Sequence, residues 1–196
     1  MRVLLLLYVD DMSMAYPSKA AAIAKEIKRK LAEKYKVTNL GTAKQFLGIE
    51  INSETSKQIS LGQKAYITSV LKWFDMENAY VTATPMATDI KLDEAEKLGA
   101  REVDPAEYQA IVGSLMYVAL ATRPDILFAV SALSRYNSCP RTTHLTAAKR
   151  VLQYLKTTAN HRLHFHAKDG DGNSNSDGNS NGDAIANEII GYTDSD

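Results

Sequence analysis

Asp10 and Asp11 are neighbouring carboxylates at the end of the apolar run LLLLYV (residues 4–9). Two ionised carboxylates side by side repel, so a strand that delivers both to one point makes chemical sense where a hard divalent cation neutralises them. Mg2+ takes oxygen ligands and commonly uses one or two carboxylates together with substrate phosphates. A pair of such ions can stabilise the attacking and leaving oxygens of a phosphoryl transfer. Asp-Asp is also an ordinary turn, and the pair alone leaves both readings open.

Two other constellations hold candidate ligands. HRLHFH (161–166) puts His164 and His166 on one face of a strand, with His161 nearby. It offers no cysteine and no convincing fourth ligand, where structural zinc usually takes four, so incidental histidines on a surface strand are the preferred reading. DGNSNGDAIANE (177–188) fits a calcium-loop pattern through Asp177, Asn179, Asn181, Gly182 and Glu188. An EF-hand needs a helix on each side, and here a low-complexity run precedes and a strand-like segment follows. A chance match is preferred.

The elements that must position these groups follow from periodicity. Residues 2–8 read as a buried strand and 12–16 as its hairpin partner, with Val9, Asp10 and Asp11 at the tip. Pro17 and Ser18 open a helix whose apolar stripe is Ile23, Ile27, Leu31 and Tyr35. KQFLGIEI (44–51) and QISL (58–61) read as paired strands, and residues 64–76 as a helix burying Ile67, Val70, Leu71 and Phe74. From residue 104 the texture is helical. Asp104-Pro105-Ala106-Glu107 is an N-cap, a proline at the first helical position and a capping-box glutamate. Ile111, Val112, Leu115 and Val118 form that helix's inner face. After the interruption at 122–125 a second helix runs to about residue 136. A third spans about 142–157, with Leu145, Ala148, Leu152 and Leu155 inward. Residues 169–183 are all Asp, Gly, Asn or Ser, a linker composition that cannot bury a core.

With 196 residues and 45% hydrophobic content, the chain can form one substantial domain or two small ones. Its net charge of zero hides an asymmetry: residues 19–36 carry seven Lys/Arg against two Glu, and residues 169–196 carry six Asp and one Glu with no base. A basic segment far from an acidic tail suits a nucleic-acid partner, and equally a solvated helix face with a polar tail. One cysteine, Cys139, excludes an internal disulfide framework. The apolar run 3–9 is far short of the roughly 20 residues that span a bilayer, and no small-residue cleavage site follows it. A soluble chain of the cytoplasm or nucleus, with no membrane partner, is expected.

Several stretches together carry a family resemblance: LLLYVDDM (5–12), NLGTAKQFLGIEI (39–51), AYITSVLKWFDM (65–76), TPM (84–86), YQAIVGSLMYVALATRPDILFAVSALSRY (108–136), HLTAAKRVLQYLKTT (144–158) and GYTDSD (191–196). In this order they resemble the reverse transcriptase region of Ty1/copia-type retrotransposon Pol polyproteins. The resemblance implies an α+β fold: a partial right-hand polymerase palm with its hairpin and sheet, followed by a helical thumb and connection. The implied segments are a palm remnant (1–62), a thumb-like segment (63–92), a helical connection (93–166), the linker (167–188) and the first strand of a ribonuclease H domain (189–196).

It also implies roles. Asp10 and Asp11 would be two of three palm carboxylates, binding Mg2+ for RNA-directed DNA synthesis, with Asp10 the closer ligand. Tyr8 and Val9 would lie under the primer terminus. FLGIEI would be the primer-grip strand, where Gly48 lets backbone approach a sugar-phosphate chain; a bulge in a hairpin is the competing reading for Gly48. Lys44 has two readings, a lysine near the incoming phosphate and a solvated lysine, and the second is preferred. Asp194 would be the first ribonuclease H metal ligand, a stump of that activity. The implied partners are an RNA template, a DNA primer and deoxynucleotides. In the family the third carboxylate and the fingers precede the hairpin, and the other ribonuclease H carboxylates follow Asp194. A middle segment of a polyprotein, inactive as a polymerase alone, is therefore expected. The alternative is a non-catalytic nucleic-acid-binding relic using the basic helix and the thumb.

Overall fold

The computed structural model describes residues 2–55, 58–95 and 99–166. Helices and two antiparallel sheets make a mixed α+β fold. Asp194, the 169–183 tract, the calcium-loop match and the GYTDSD segment lie outside the described residues.

The apolar run forms strand β1 (Leu4–Tyr8), which pairs with β2 (Asp11–Ala15) in a separate two-stranded sheet. Tyr8 stands opposite Asp11, so the tip is Val9-Asp10 and Asp11 already belongs to the strand. The expected burial is overturned: Leu4, Leu5, Leu6 and Leu7 are all exposed, Leu4 by 67%. A two-stranded ribbon has no inside of its own, and a leucine run directs a strand without supplying the layer that would cover it.

A single 3-10 turn at Ser18–Ala20 leads into α1 (Ala21–Lys34). The expected stripe is corrected here too. Ala20 and Ala24 are buried, Ile27 and Leu31 half-buried, and Ile23 and Tyr35 exposed. Each four-residue step overshoots a full turn by about 40° at 3.6 residues per turn. A strict i+4 series therefore winds off any one face, whereas 20, 24, 27 and 31 stay on it.

The second sheet runs β3 (Gln45–Phe46), β4 (Ile49–Thr55), β5 (Gln58–Gly62) and β6 (Leu163–His166), in that spatial order. β6 brings chain from the far end of the helical region to pair with β5, His164 opposite Ser60. Arg162, just before β6, clamps this junction. Its guanidinium donates to the Glu50 carboxylate and the Glu50 carbonyl, both at 3.1 Å, and to Ser60 Oγ at 3.1 Å. The other Glu50 oxygen accepts from the Ala65 amide at 2.9 Å, at the start of α2 (Lys64–Trp73). That amide first of all, with burial opposing and Arg162 reinforcing, holds the Glu50 carboxyl below the usual carboxylate range.

The core lies among α2, α3 (Pro105–Ala121), α4 (Leu127–Ser134) and α5 (Thr142–Thr158). Ile111, Val112, Leu115 and Val118 of α3 meet Ile67 and Val70 of α2, Val130 and Leu133 of α4, and Leu152 and Leu155 of α5 in one buried cluster. Asp104 caps α3 as its sequence promised, accepting from the Ala106 amide at 2.9 Å. Glu107 instead pairs with Lys149 of α5 at 3.2 Å. Buried polar groups are few and mostly partnered. The Tyr108 hydroxyl donates to the Leu133 carbonyl at 2.8 Å, and His144 bridges the Arg141 amide and the Leu92 carbonyl, each at 3.0 Å.

Between α3 and α4, the TRPD corner reads in sequence as a mere break between helices. In space Arg123 is 1% exposed. It forks onto Asp125 at 2.9 and 2.7 Å and reaches the Thr158 carbonyl and hydroxyl at 2.8 and 2.7 Å. The corner is thereby tied to the end of α5.

Candidate functional site

Asp10 and Asp11 sit at the free end of the hairpin, both exposed. Neither side chain makes a hydrogen bond or ion pair with the described residues, so four carboxylate oxygens are exposed with no cation from the protein beside them. Val9, β-branched, is held at φ 49°, a backbone region such residues rarely enter and which costs about 1–2 kcal/mol. Strain of this kind gathers where a chain must present something in a fixed pose. Two unpaired carboxylates on a strained tip suit a divalent cation as part of a ligand set. Among the described residues no group of three His, Cys, Asp or Glu side chains comes together as a metal site.

The second expected element, FLGIEI, forms another tight hairpin. Phe46 and Ile49 pair across a two-residue tip, Leu47-Gly48, with φ of 50° and 73°. Gly48 supplies a left-handed conformation; a Cβ there would meet only the Tyr117 hydroxyl, at an unstrained 3.6 Å. The bulge reading gives way to a turn. Lys44 precedes β3, exposed, its carbonyl accepting from the Ile51 amide at 2.8 Å.

Tyr117 of α3 reaches the second of these hairpins. Its hydroxyl donates to the Leu47 carbonyl. Burial, then the neighbouring Tyr66 and Tyr8 phenols, push its pKa up, which keeps it a donor. Tyr66 of α2 lies edge-to-face with Tyr117 at 5.0 Å and with Trp73 at 6.0 Å between ring centroids. An aromatic row thus leads from the exposed end of α2 to Tyr117. Sequence periodicity singled out neither Tyr117 nor Tyr66, because it ranks residues by their place on the buried stripe and Tyr117 is off it.

His164 and His166 share the exposed face of β6, their rings stacked with centroids 6.4 Å apart. Along α1, the Arg29 guanidinium is held by Glu26 at 2.7 Å and by Glu33, and the surrounding lysines remain on the surface. No helix among the described residues is long and apolar enough to cross a membrane.

Comparison with known proteins finds relatives along most of the chain. Residues 1–88, which contain both hairpins and α2, match the family described as reverse transcriptase (RNA-dependent DNA polymerase). The chain carries a copia-type retrotransposon reverse transcriptase region. It is 38% identical over 174 residues to a retrovirus-related Pol polyprotein from transposon TNT 1-94 of Nicotiana tabacum, covering 85% of this chain and 13% of the polyprotein. A transposon Ty5-1 protein of Saccharomyces cerevisiae is 36% identical over 151 residues, 77% of this chain and 48% of that protein. An uncharacterized mitochondrial protein of Arabidopsis thaliana is 33% identical over 162 residues, 83% of this chain and 65% of its own length. The chain therefore spans less than two thirds of each. No solved structure matches it.

Proposed function

We propose that this chain is the part of a retrotransposon reverse transcriptase that carries the metal-binding hairpin and the primer-side contacts, and that it needs further ligands to polymerise. The observation that carries this reading is the end of the first hairpin, where a strained Val9 precedes the unpartnered carboxylates of Asp10 and Asp11, inside the family-matched residues. In the complete site a primer 3′-hydroxyl attacks the α-phosphate of a deoxynucleotide; a P–O bond forms there and pyrophosphate leaves. Bound Mg2+ would supply the charge neutralisation for that in-line transfer. Asp10 and Asp11 would hold it, the closer of the two being Asp10. Tyr8 and Val9 would support the primer end, and the Leu47-Gly48 tip would lie along its backbone. Residues 64–76 play the part of a thumb and the helical region that of a connection between polymerase and ribonuclease H, with Asp194 the first ligand of the latter.

A second reading is favoured by the absence of a third carboxylate beside Asp10 and Asp11 among the described residues: a relic that binds nucleic acid without catalysis, through α1 and α2. Both readings expect binding to an RNA–DNA primer-template that weakens steeply with salt, because cationic side chains displace counterions from phosphates. Single-nucleotide incorporation with Mg2+ separates them. Incorporation by the parent chain that Asp10→Asn abolishes would refute the relic and the need for further ligands together. Failure to bind the duplex at low salt would refute both.

A further inference from the structure

The Leu47-Gly48 tip has positive φ at both positions, the type I′ turn of a tight hairpin, for which Asn-Gly is the favoured pair. Glycine meets the requirement at the second position. Leucine at the first does not, and a non-glycine residue in that region costs about 1–2 kcal/mol. Something outside the hairpin must offset this. The group in place is the Tyr117 hydroxyl, donating to the Leu47 carbonyl. Tyr117 is itself fixed: its helix buries Leu115, Val118 and Ala119 in the core, and Tyr66 braces its ring at 5.0 Å.

We propose that Tyr117 is a positioning residue: from α3 its hydroxyl sets the Leu47-Gly48 tip, so that the helical region fixes where a nucleic-acid strand lies along that tip. The strand placement rests on the nucleic-acid reading above; the positioning of the tip does not. The helical region is thereby more than a spacer, since it shapes a contact surface built by residues seventy positions upstream.

Tyr117→Phe keeps the ring and removes only the donor. Three readouts on the full chain test it: amide hydrogen exchange at residues 46–49, affinity for a labelled RNA–DNA primer-template duplex, and the thermal midpoint. Exchange at the tip should quicken about fivefold, the effect of losing a hydrogen bond of ~1 kcal/mol. Duplex binding should weaken by a similar factor, and the midpoint should fall by no more than about 2–4 °C, as this one bond implies for a chain of this size. Adding Leu47→Asn, which favours the turn unaided, should restore both exchange and affinity. A merely structural tyrosine would lower the midpoint without quickening exchange at the tip, and would not be rescued at position 47. Unchanged tip exchange in Tyr117→Phe, or no rescue, overturns the proposal. A parent chain that binds no duplex overturns the functional reading and the strand placement with it, while the exchange data still decide whether Tyr117 holds the tip.

Discussion

Replacing Asp125 by Asn removes the charge that neutralises Arg123 while keeping size and shape. Arg123 is 1% exposed and uses both Asp125 oxygens, at 2.9 and 2.7 Å. The asparagine would offer one acceptor in place of two and turn an N–H toward a guanidinium that carries only N–H donors. The same carboxylate accepts from the Tyr154 hydroxyl at 2.8 Å. Breaking a fully buried pair costs about 3–5 kcal/mol because the surviving charge is stranded. Here the Asp125 side chain is 39% exposed, so solvent screens part of the loss, and about 2 kcal/mol is the reasoned figure. That corresponds to a fall in thermal midpoint of about 4–8 °C for a chain of this size. Urea unfolding followed by far-UV circular dichroism measures it directly, as a lower midpoint with an unchanged slope. A loss under about 0.5 kcal/mol, the range of ordinary surface substitutions, would refute the reasoning, because the Arg123 guanidinium would then have to be hydrated.

Gly62→Ala places a Cβ 2.7 Å from Arg162 Nη1 and 2.9 Å from its Cζ; since that guanidinium is pinned on Glu50 and Ser60, the substitution should destabilise by about 1–3 kcal/mol, read by the same urea titration. Tyr108→Phe removes one donor from the Leu133 carbonyl, which keeps the Tyr136 amide at 3.0 Å, and should cost only about 0.5–1.5 kcal/mol, the contribution of a single hydrogen bond. Glu50 and Asp125 are both held below their ordinary pKa, Glu50 by the Ala65 amide foremost, and Asp125 by Arg123 and Tyr154, which outweigh the opposing effect of burial. Their stabilisation is complete above the unfolded values near ~4 and disappears as pH falls through the lower folded values. Stability measured from pH 6 downward should therefore fall below about pH 4.5, and Glu50→Gln should flatten that fall.

Local chemistry was legible where a pattern carries its own consequence. Asp104-Pro105 announces a helix start, and the 111–112–115–118 spacing announces a buried face, because both depend only on neighbours in sequence. Burial of β1 was not legible, since a row of leucines cannot state whether a second layer exists. Nor was the partner of β6: nothing in RLHFH names residues 58–61, a hundred positions upstream, as the strand it will join. Arg123 and Arg162 look like surface charges until the fold supplies their carboxylates. At the candidate site the two aspartates and Gly48 stood out by type and motif. Tyr117 did not, because its importance lies in a carbonyl that only the folded chain brings to it.

The claim at the centre of this account is that Asp10 and Asp11 form a divalent-cation tip. Paramagnetic broadening by Mn2+, which occupies the oxygen sites of Mg2+, tests it on the chain as it stands. At substoichiometric Mn2+, amide signals of residues 8–12 should broaden first, Mg2+ should reverse the effect, and Asp10→Asn with Asp11→Asn should abolish it. Broadening confined to residues 177–188, with 8–12 left sharp, would contradict the account and favour the calcium-loop match in its place.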